Sequence, residues 1–227
     1  MPELAALVPR LREAGLRVLL PAPAPLEPDP LRRARAVDGP ATAVGLVERW
    51  EPWARTVAAA VPLAGPVLQV TVRGWPRGAE AAAELVDLVG RWCGEVVAVV
   101  AAGGALPAAR LPDGEAVAWA VLTGGGATVL VSHEGPGPAV RLSSAGARLE
   151  ASPRGVRWAG GDPLPLQPLP AWVPPAPRGV RAGLVAAAAG LARDDAGAAE
   201  LGDLLVAAQV LAALRDSART GALVPVS

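Results

Sequence analysis

Between Val67 and Trp158 the chain breaks into short apolar runs joined by connectors rich in Gly, Pro, Asp and Ser. The runs are Val67 to Arg73, Glu95 to Ala101, Ala116 to Leu122, Ala127 to Ser132, Ala139 to Leu142, Ala147 to Ala151 and Gly155 to Trp158, each of strand length. Connectors such as Gly124-Gly125-Gly126 and Glu134-Gly135-Pro136-Gly137-Pro138 are too short for a parallel crossover, so successive strands should pair antiparallel. One helical segment, Ala79 to Trp92, interrupts the series. This pattern limits the larger part of the chain to the α+β class, as an open, mostly antiparallel sheet covered by helices.

The flanks read differently. Residues 3–14 place Leu4, Leu7, Val8 and Leu11 at helical spacing before Gly15, and Arg17 to Leu20 follows as a strand. Helix, glycine and strand in that order form the second half of a β-α-β unit. Proline-rich Pro21 to Pro30 suits neither regular helix nor central strand. A short helix around Leu31 to Val37, a strand over Thr42 to Val47 and a helix from Pro52 to near Val61 come next. After the strands, Pro163 to Pro177 is a connector, and helices over 179–192 and 198–220 close the chain. The last carries Leu201, Leu204, Leu205, Ala208 and Leu211 on one stripe, with Gly221 as its stop.

Composition narrows the function classes. All 21 basic residues are arginine and balance 21 acidic ones, which argues against a nucleic-acid binder. Lys, Phe, Tyr, Ile and Asn are absent, the coding signature of a GC-rich bacterial genome, so the seven tryptophans are the only aromatic side chains. At 52% hydrophobic residues the chain can bury a core. Its single cysteine, Cys93, rules out an internal disulfide and a cysteine zinc site, and suits a reducing cytoplasm as a small buried apolar residue. Early charges at Glu3, Arg10, Arg12 and Glu13 are unlike a secretory signal, and no run suits a membrane span.

Two strands, Val96 to Val100 and Val117 to Leu122, are apolar on both faces. A sheet with one wet face would alternate apolar with polar. Helices can cover one face, and the other is expected to meet a partner subunit; burial within the monomer is the alternative.

A search for chemistry finds little. No Gly-x-Gly-x-x-Gly follows a predicted strand, and a Walker-type loop needs a lysine. Ser132, His133 and Glu134 have triad residue types, but neighbours on a strand point to opposite faces and cannot bond in series. One His, one Cys and scattered carboxylates suggest no metal site. Glu80, Glu84 and Asp87 share a helical face at i, i+4 and i+7 spacing, as a general base with its neighbours or as a solvated acidic face.

The order of segments resembles the Gfo/Idh/MocA family of NAD(P)-dependent sugar and cyclitol oxidoreductases, entered midway through that architecture. Ala14-Gly15-Leu16-Arg17-Val18-Leu19-Leu20-Pro21-Ala22-Pro23 is similar to the family stretch ending in Glu-Lys-Pro. Val44 to Pro52, with Arg49, is similar to the joint between nucleotide and sheet domains. Glu80 to Asp87 falls on the family's Asp-x-Gly-x-His-x-x-Asp helix, and Val210 to Gly221 on its closing helix. The resemblance implies a Rossmann-like remnant over 1–47 and an antiparallel sheet domain with C-terminal helices over 48–227. It also implies dimerisation through the sheet.

The departures carry equal weight. The glycine-fingerprint half is missing, Ala22 stands where the family keeps its lysine, and Glu84 stands where it keeps its histidine. Glu84 and Asp87 are the catalytic candidates, with Arg49 and Glu80 as substrate-pocket candidates. No cofactor-binding residue is assigned, and NAD(P) is expected only with a partner chain. The leading reading is a degenerate homologue, non-catalytic alone, that forms a homodimer or pairs with an intact family member. The alternatives are a subunit of an oxidoreductase whose cofactor domain another chain supplies, a truncated reading frame, and a small-molecule binding module.

Overall fold

The computed structural model describes residues 10, 11, 13, 14, 18–20, 28–36, 42–44, 46, 48–101, 116–167 and 199–227. Most of the predicted helix over 3–14, the helix over 179–192, and Pro21 and Ala22 lie outside the described residues. Twelve strands and four helices are described. In order they are β1 (Val18–Leu20), α1 (Pro28–Arg35), β2 (Thr42–Val44), a 3-10 turn (Glu48–Trp50), α2 (Pro52–Ala64), β3 (Val67–Arg73), α3 (Ala79–Cys93) and β4 (Val96–Ala101). There follow β5 (Trp119–Thr123), β6 (Thr128–Val131), β7 (Ala139–Ser144), β8 (Arg148–Ser152), β9 (Gly155–Trp158), β10 (Pro163–Leu164), β11 (Ala199–Glu200), α4 (Leu201–Thr220) and β12 (Val224–Pro225).

Nine strands form the main sheet in the order β10-β9-β8-β7-β3-β6-β5-β4-β12. Hairpins β5–β6, β7–β8 and β8–β9 pair antiparallel, as their short connectors require. The expected pairing of β6 with β7 is corrected: β3 lies between them, parallel to β6 and antiparallel to β7. Residues 132–138 cross the end of β3 to make that exchange possible. Gly74 sits under the crossing with φ +60°, and a Cβ there would meet the Gly137 carbonyl oxygen at 2.3 Å. Only glycine fits both the left-handed backbone and the close approach.

The sheet has two unlike faces. Val99, Val121, Val129, Val70, Leu142 and Leu149 lie in register across six strands, and all are buried on the helix-covered side. One residue along, the other face reads Val100, Ala120, Leu130, Thr71, Arg141, Glu150, Arg157 and Pro163 from β4 to β10. Its β4–β6 end is apolar and its β7–β9 end is charged, with Glu150 paired to both Arg141 and Arg157. Leu122, on the apolar end, stays 37% exposed.

Helices α2, α3 and α4 carry the core over the sheet. In α3, Ala83, Leu85, Val86, Leu88, Val89 and Trp92 are buried. α4 is buried along most of its length and ends where Gly221 turns left-handed. Near that end Ser217 accepts the Ala101 N–H at 2.9 Å and donates to the Ala222 carbonyl at 2.6 Å, so a fully buried hydroxyl ties helix, sheet and tail together. The tail adds β12 beside β4, a short edge strand that can tolerate Pro225.

Near the N-terminus β1 and β2 pair in parallel across α1, and β11 joins them antiparallel from far along the chain. Helix α1 begins at Pro28 rather than Leu31, correcting the expectation that prolines would hold the helix back. Pro28 and Pro30 occupy the first turn, where amide donors have no helical partner to lose. Leu31, Ala34, Val44 and Leu46 join the same apolar cluster as the main sheet and its helices.

Candidate functional site

The 3-10 turn Glu48–Trp50 delivers Arg49 into the gap between α3 and α4, and Pro52 then starts α2. There Arg49 meets Asp87 in a two-pronged pair: Nε donates to one carboxylate oxygen at 3.0 Å, and Nη2 donates to the other. The same Nη2 donates to Asp203 at 2.9 Å. The Arg49 and Asp87 side chains are only 2% and 3% exposed, whereas Asp203 reaches solvent at 43%. Asp203 also accepts the Glu200 N–H at 3.0 Å, completing a reciprocal cap at the start of α4.

These contacts set the electrostatics. Burial pushes Asp87 above the usual carboxylate range even though Arg49 pulls the other way. Burial works against the Arg49 cation, but Asp87 and Asp203 hold it above its ordinary value, so it stays charged. Beside it, Glu48 is pushed up to about 7 by burial and by the nearby Glu51.

Glu84 is also buried, and one of its carboxylate oxygens accepts the Glu48 N–H at 3.1 Å. The solvated acidic face expected from spacing is therefore corrected. Glu84 and Asp87 point into the interior, because Arg49 and the backbone of its turn supply their partners. Glu80, one turn nearer the helix start, is exposed and is not brought to Arg49. Three of the four residues singled out from sequence thus meet, as an internal ion and hydrogen-bond cluster. Asp203 was missed; its only signal was an acid three residues after Glu200 at a helix start.

Two clefts open beside Arg49, and Arg91 lines both of them. The first, about 430 Å³, is lined by Asp87, Glu95, Glu200 and Asp203 with Arg49 and Arg91. The second, about 280 Å³, has Arg55, Arg91, Trp92 and Gln167 among its lining residues.

The remaining candidates are spent elsewhere. The His133 ring bonds the Trp75 carbonyl through Nδ1 at 2.9 Å, Ser132 accepts the Glu134 N–H at 3.1 Å, and Glu134 accepts the Ala116 N–H at 3.4 Å. Three separate partners leave no triad. Burial pushes the Cys93 thiol up to about 12, which makes it a poor nucleophile. Among the described residues no group of three or more His, Cys, Asp or Glu could hold a metal ion, and no helix is long and apolar enough to cross a membrane.

No family model matches the chain, and no curated protein matches it in sequence. Solved structures do. Levoglucosan dehydrogenase in complex with NADH matches over 98% of this chain and 77% of its own, with TM-score 0.71 at 13% identity. The WlbA dehydrogenase from Bordetella pertussis, in complex with NADH and UDP-GlcNAcA, matches over 98% and 75%, with TM-score 0.68 at 19% identity. An oxidoreductase from Agrobacterium radiobacter, in complex with NAD+, L-tartaric acid and magnesium, matches over 98% and 76%, with TM-score 0.66 at 17% identity. The chain has the fold of the Gfo/Idh/MocA-type NAD-dependent oxidoreductases, its open sheet corresponding to their C-terminal domain.

Proposed function

We propose that this chain is a degenerate oxidoreductase-like protein that performs no chemistry alone and acts as a dimerising or partner subunit. The observation that carries this reading is the use made of Glu84 and Asp87. A general base must reach the substrate proton and be free to take it. Here Asp87 is gripped on both oxygens by a guanidinium, and Glu84 holds the backbone of the turn that presents Arg49. Ala22, where the resembling family keeps a lysine, removes the other expected participant.

The structural neighbours bind NADH or NAD+. The acidic cleft beside Asp87 does not fit a dinucleotide. Its carboxylates Asp87, Glu95, Glu200 and Asp203 outnumber its guanidiniums Arg49 and Arg91, and Arg49 is already committed, so a pyrophosphate would be repelled.

Partner binding takes the open face of the main sheet, where Val100, Ala120, Leu122 and Leu130 form an apolar end beside a charged one. The pairing is with a second copy or with an intact member of the same fold.

Titration calorimetry tests the cofactor half of the proposal. NADH and NADPH at about 1 mM should give no saturable heat, whereas micromolar binding would overturn the proposal.

A further inference from the structure

A third cleft, of about 530 Å³, lies away from Arg49 at the charged end of the open sheet face. The register sets its shape. Thr71, Arg141, Glu150, Arg157 and Pro163 form one row across β3, β7, β8, β9 and β10. Two residues along, on the same face, Arg73 pairs with Ala139 and Ser152 pairs with Gly155. Ala139, Ser152 and Gly155 are too small to fill the space in front of them, so they floor a hollow between Arg73 and the Arg141–Glu150–Arg157 row. Arg154, from the turn between β8 and β9, also lines it.

Glu150 is the one carboxylate lining this hollow, and it is already engaged. Arg157 donates to one of its oxygens at 2.8 Å and Arg141 to the other at 3.4 Å. The hydrogen bonds from Arg157 outweigh burial and, with Arg141, hold the Glu150 carboxyl below its usual range, so it stays charged. Among the described residues Arg154 pairs with no acid. Counting only Arg141, Arg154 and Arg157 against Glu150 leaves an excess of two positive charges in the hollow. Basic and acidic residues balance over the whole chain, so this excess is local. Like charges on neighbouring strands repel, and a bound anion of matching charge relieves that. A phosphate monoester brings about −1.5 to −2 charges at neutral pH and three acceptor oxygens, whereas a single carboxylate brings one charge and two oxygens. The concave floor and its volume suit a small molecule, while the flatter apolar end of the same face suits a protein surface.

We propose that this hollow binds a small phosphate monoester, with the phosphate accepting from Arg141, Arg154 and Arg157 and the body of the molecule lying over Ala139 and Gly155. The site is separate from the cluster around Arg49, and it leaves the β4–β6 end of the face free for pairing.

The test uses the full chain with phenyl phosphate, succinate and neutral phenol, read by calorimetry in about 0.15 M salt, where loose surface attraction is screened. Phenyl phosphate should bind saturably at one site per chain, succinate more weakly, and phenol not at all. Arg154→Gln should weaken phenyl phosphate binding by about tenfold or more. Ala139→Leu, which fills the floor and leaves every charge in place, should weaken it as much. Arg219→Gln, on the helix-covered side, should change nothing. Leu122→Glu, which severs the proposed pairing, should bind phenyl phosphate as the parent does, so a lost dimer and a lost ligand are read apart. No saturable binding of phenyl phosphate, succinate binding as tightly, or full affinity in either Arg154→Gln or Ala139→Leu would each overturn the assignment. Arg154 and Ala139 are exposed, so both variants should fold, and matching melting temperatures check this.

Discussion

Arg49 holds carboxylates from two helices, Asp87 in α3 and Asp203 at the start of α4, and only the first is buried with it. Removing one member of a buried pair strands the other charge, a cost of about 3–5 kcal/mol, whereas replacing both with apolar groups is often neutral. Arg49→Met should therefore destabilise the protein by that amount in urea unfolding, and adding Asp87→Leu should recover most of the loss. Glu48 supplies a pH signature. Its folded value of about 7 lies above its ordinary 4.5, so the folded state binds that proton more tightly than the unfolded chain. Its contribution is fully present below about pH 4.5 and is lost as pH rises through about 7. Glu48→Gln should raise stability by about 1–3 kcal/mol at about pH 8, and by much less at about pH 5, in paired thermal melts. Arg49 and Asp87 were both legible in the sequence as site candidates, but their partnership was not. They are 38 residues apart on different elements, and residue type alone does not distinguish a base from half of an ion pair.

At the scale of elements, periodicity located β3, α3, β9 and the body of α4 closely, because each is long enough or sharply enough bounded to leave a pattern. Strands β11 and β12, at two residues each, leave none; they exist because β2 and β4 present unpaired edges to them. The place of β3 between β6 and β7 was equally hidden. A seven-residue connector looks like a hairpin loop until another strand is found beneath it. Gly74 is where that crossing is tightest. Gly74→Ala should cost about 2–4 kcal/mol, from left-handed strain plus the clash with the Gly137 backbone, seen as a lowered urea midpoint with an unchanged slope.

The main sheet has a helix-covered face and a face divided into an apolar and a charged end, and a separate three-stranded sheet of β1, β2 and β11 stands beside it in the described residues. The two-faced apolar strands were visible in the sequence, and on the open side Leu122 remains 37% exposed. With the proposed pairing through that face, Leu122→Glu should convert a dimer to a monomer in light scattering. The melting temperature of the monomer itself should change little, since the side chain already reaches solvent.

Local pattern, by itself, determined most strands, the long helices and the α+β class, because side-chain periodicity and turn chemistry act over a few residues. It also determined that lysine is missing everywhere, including at Ala22. Tertiary structure alone decided the strand order, the burial of Glu84 and Asp87, and the placing of two clefts beside Arg49. Those outcomes depend on which distant segments approach one another, and the charge of a side chain acquires a role only from the partner and dielectric it meets there.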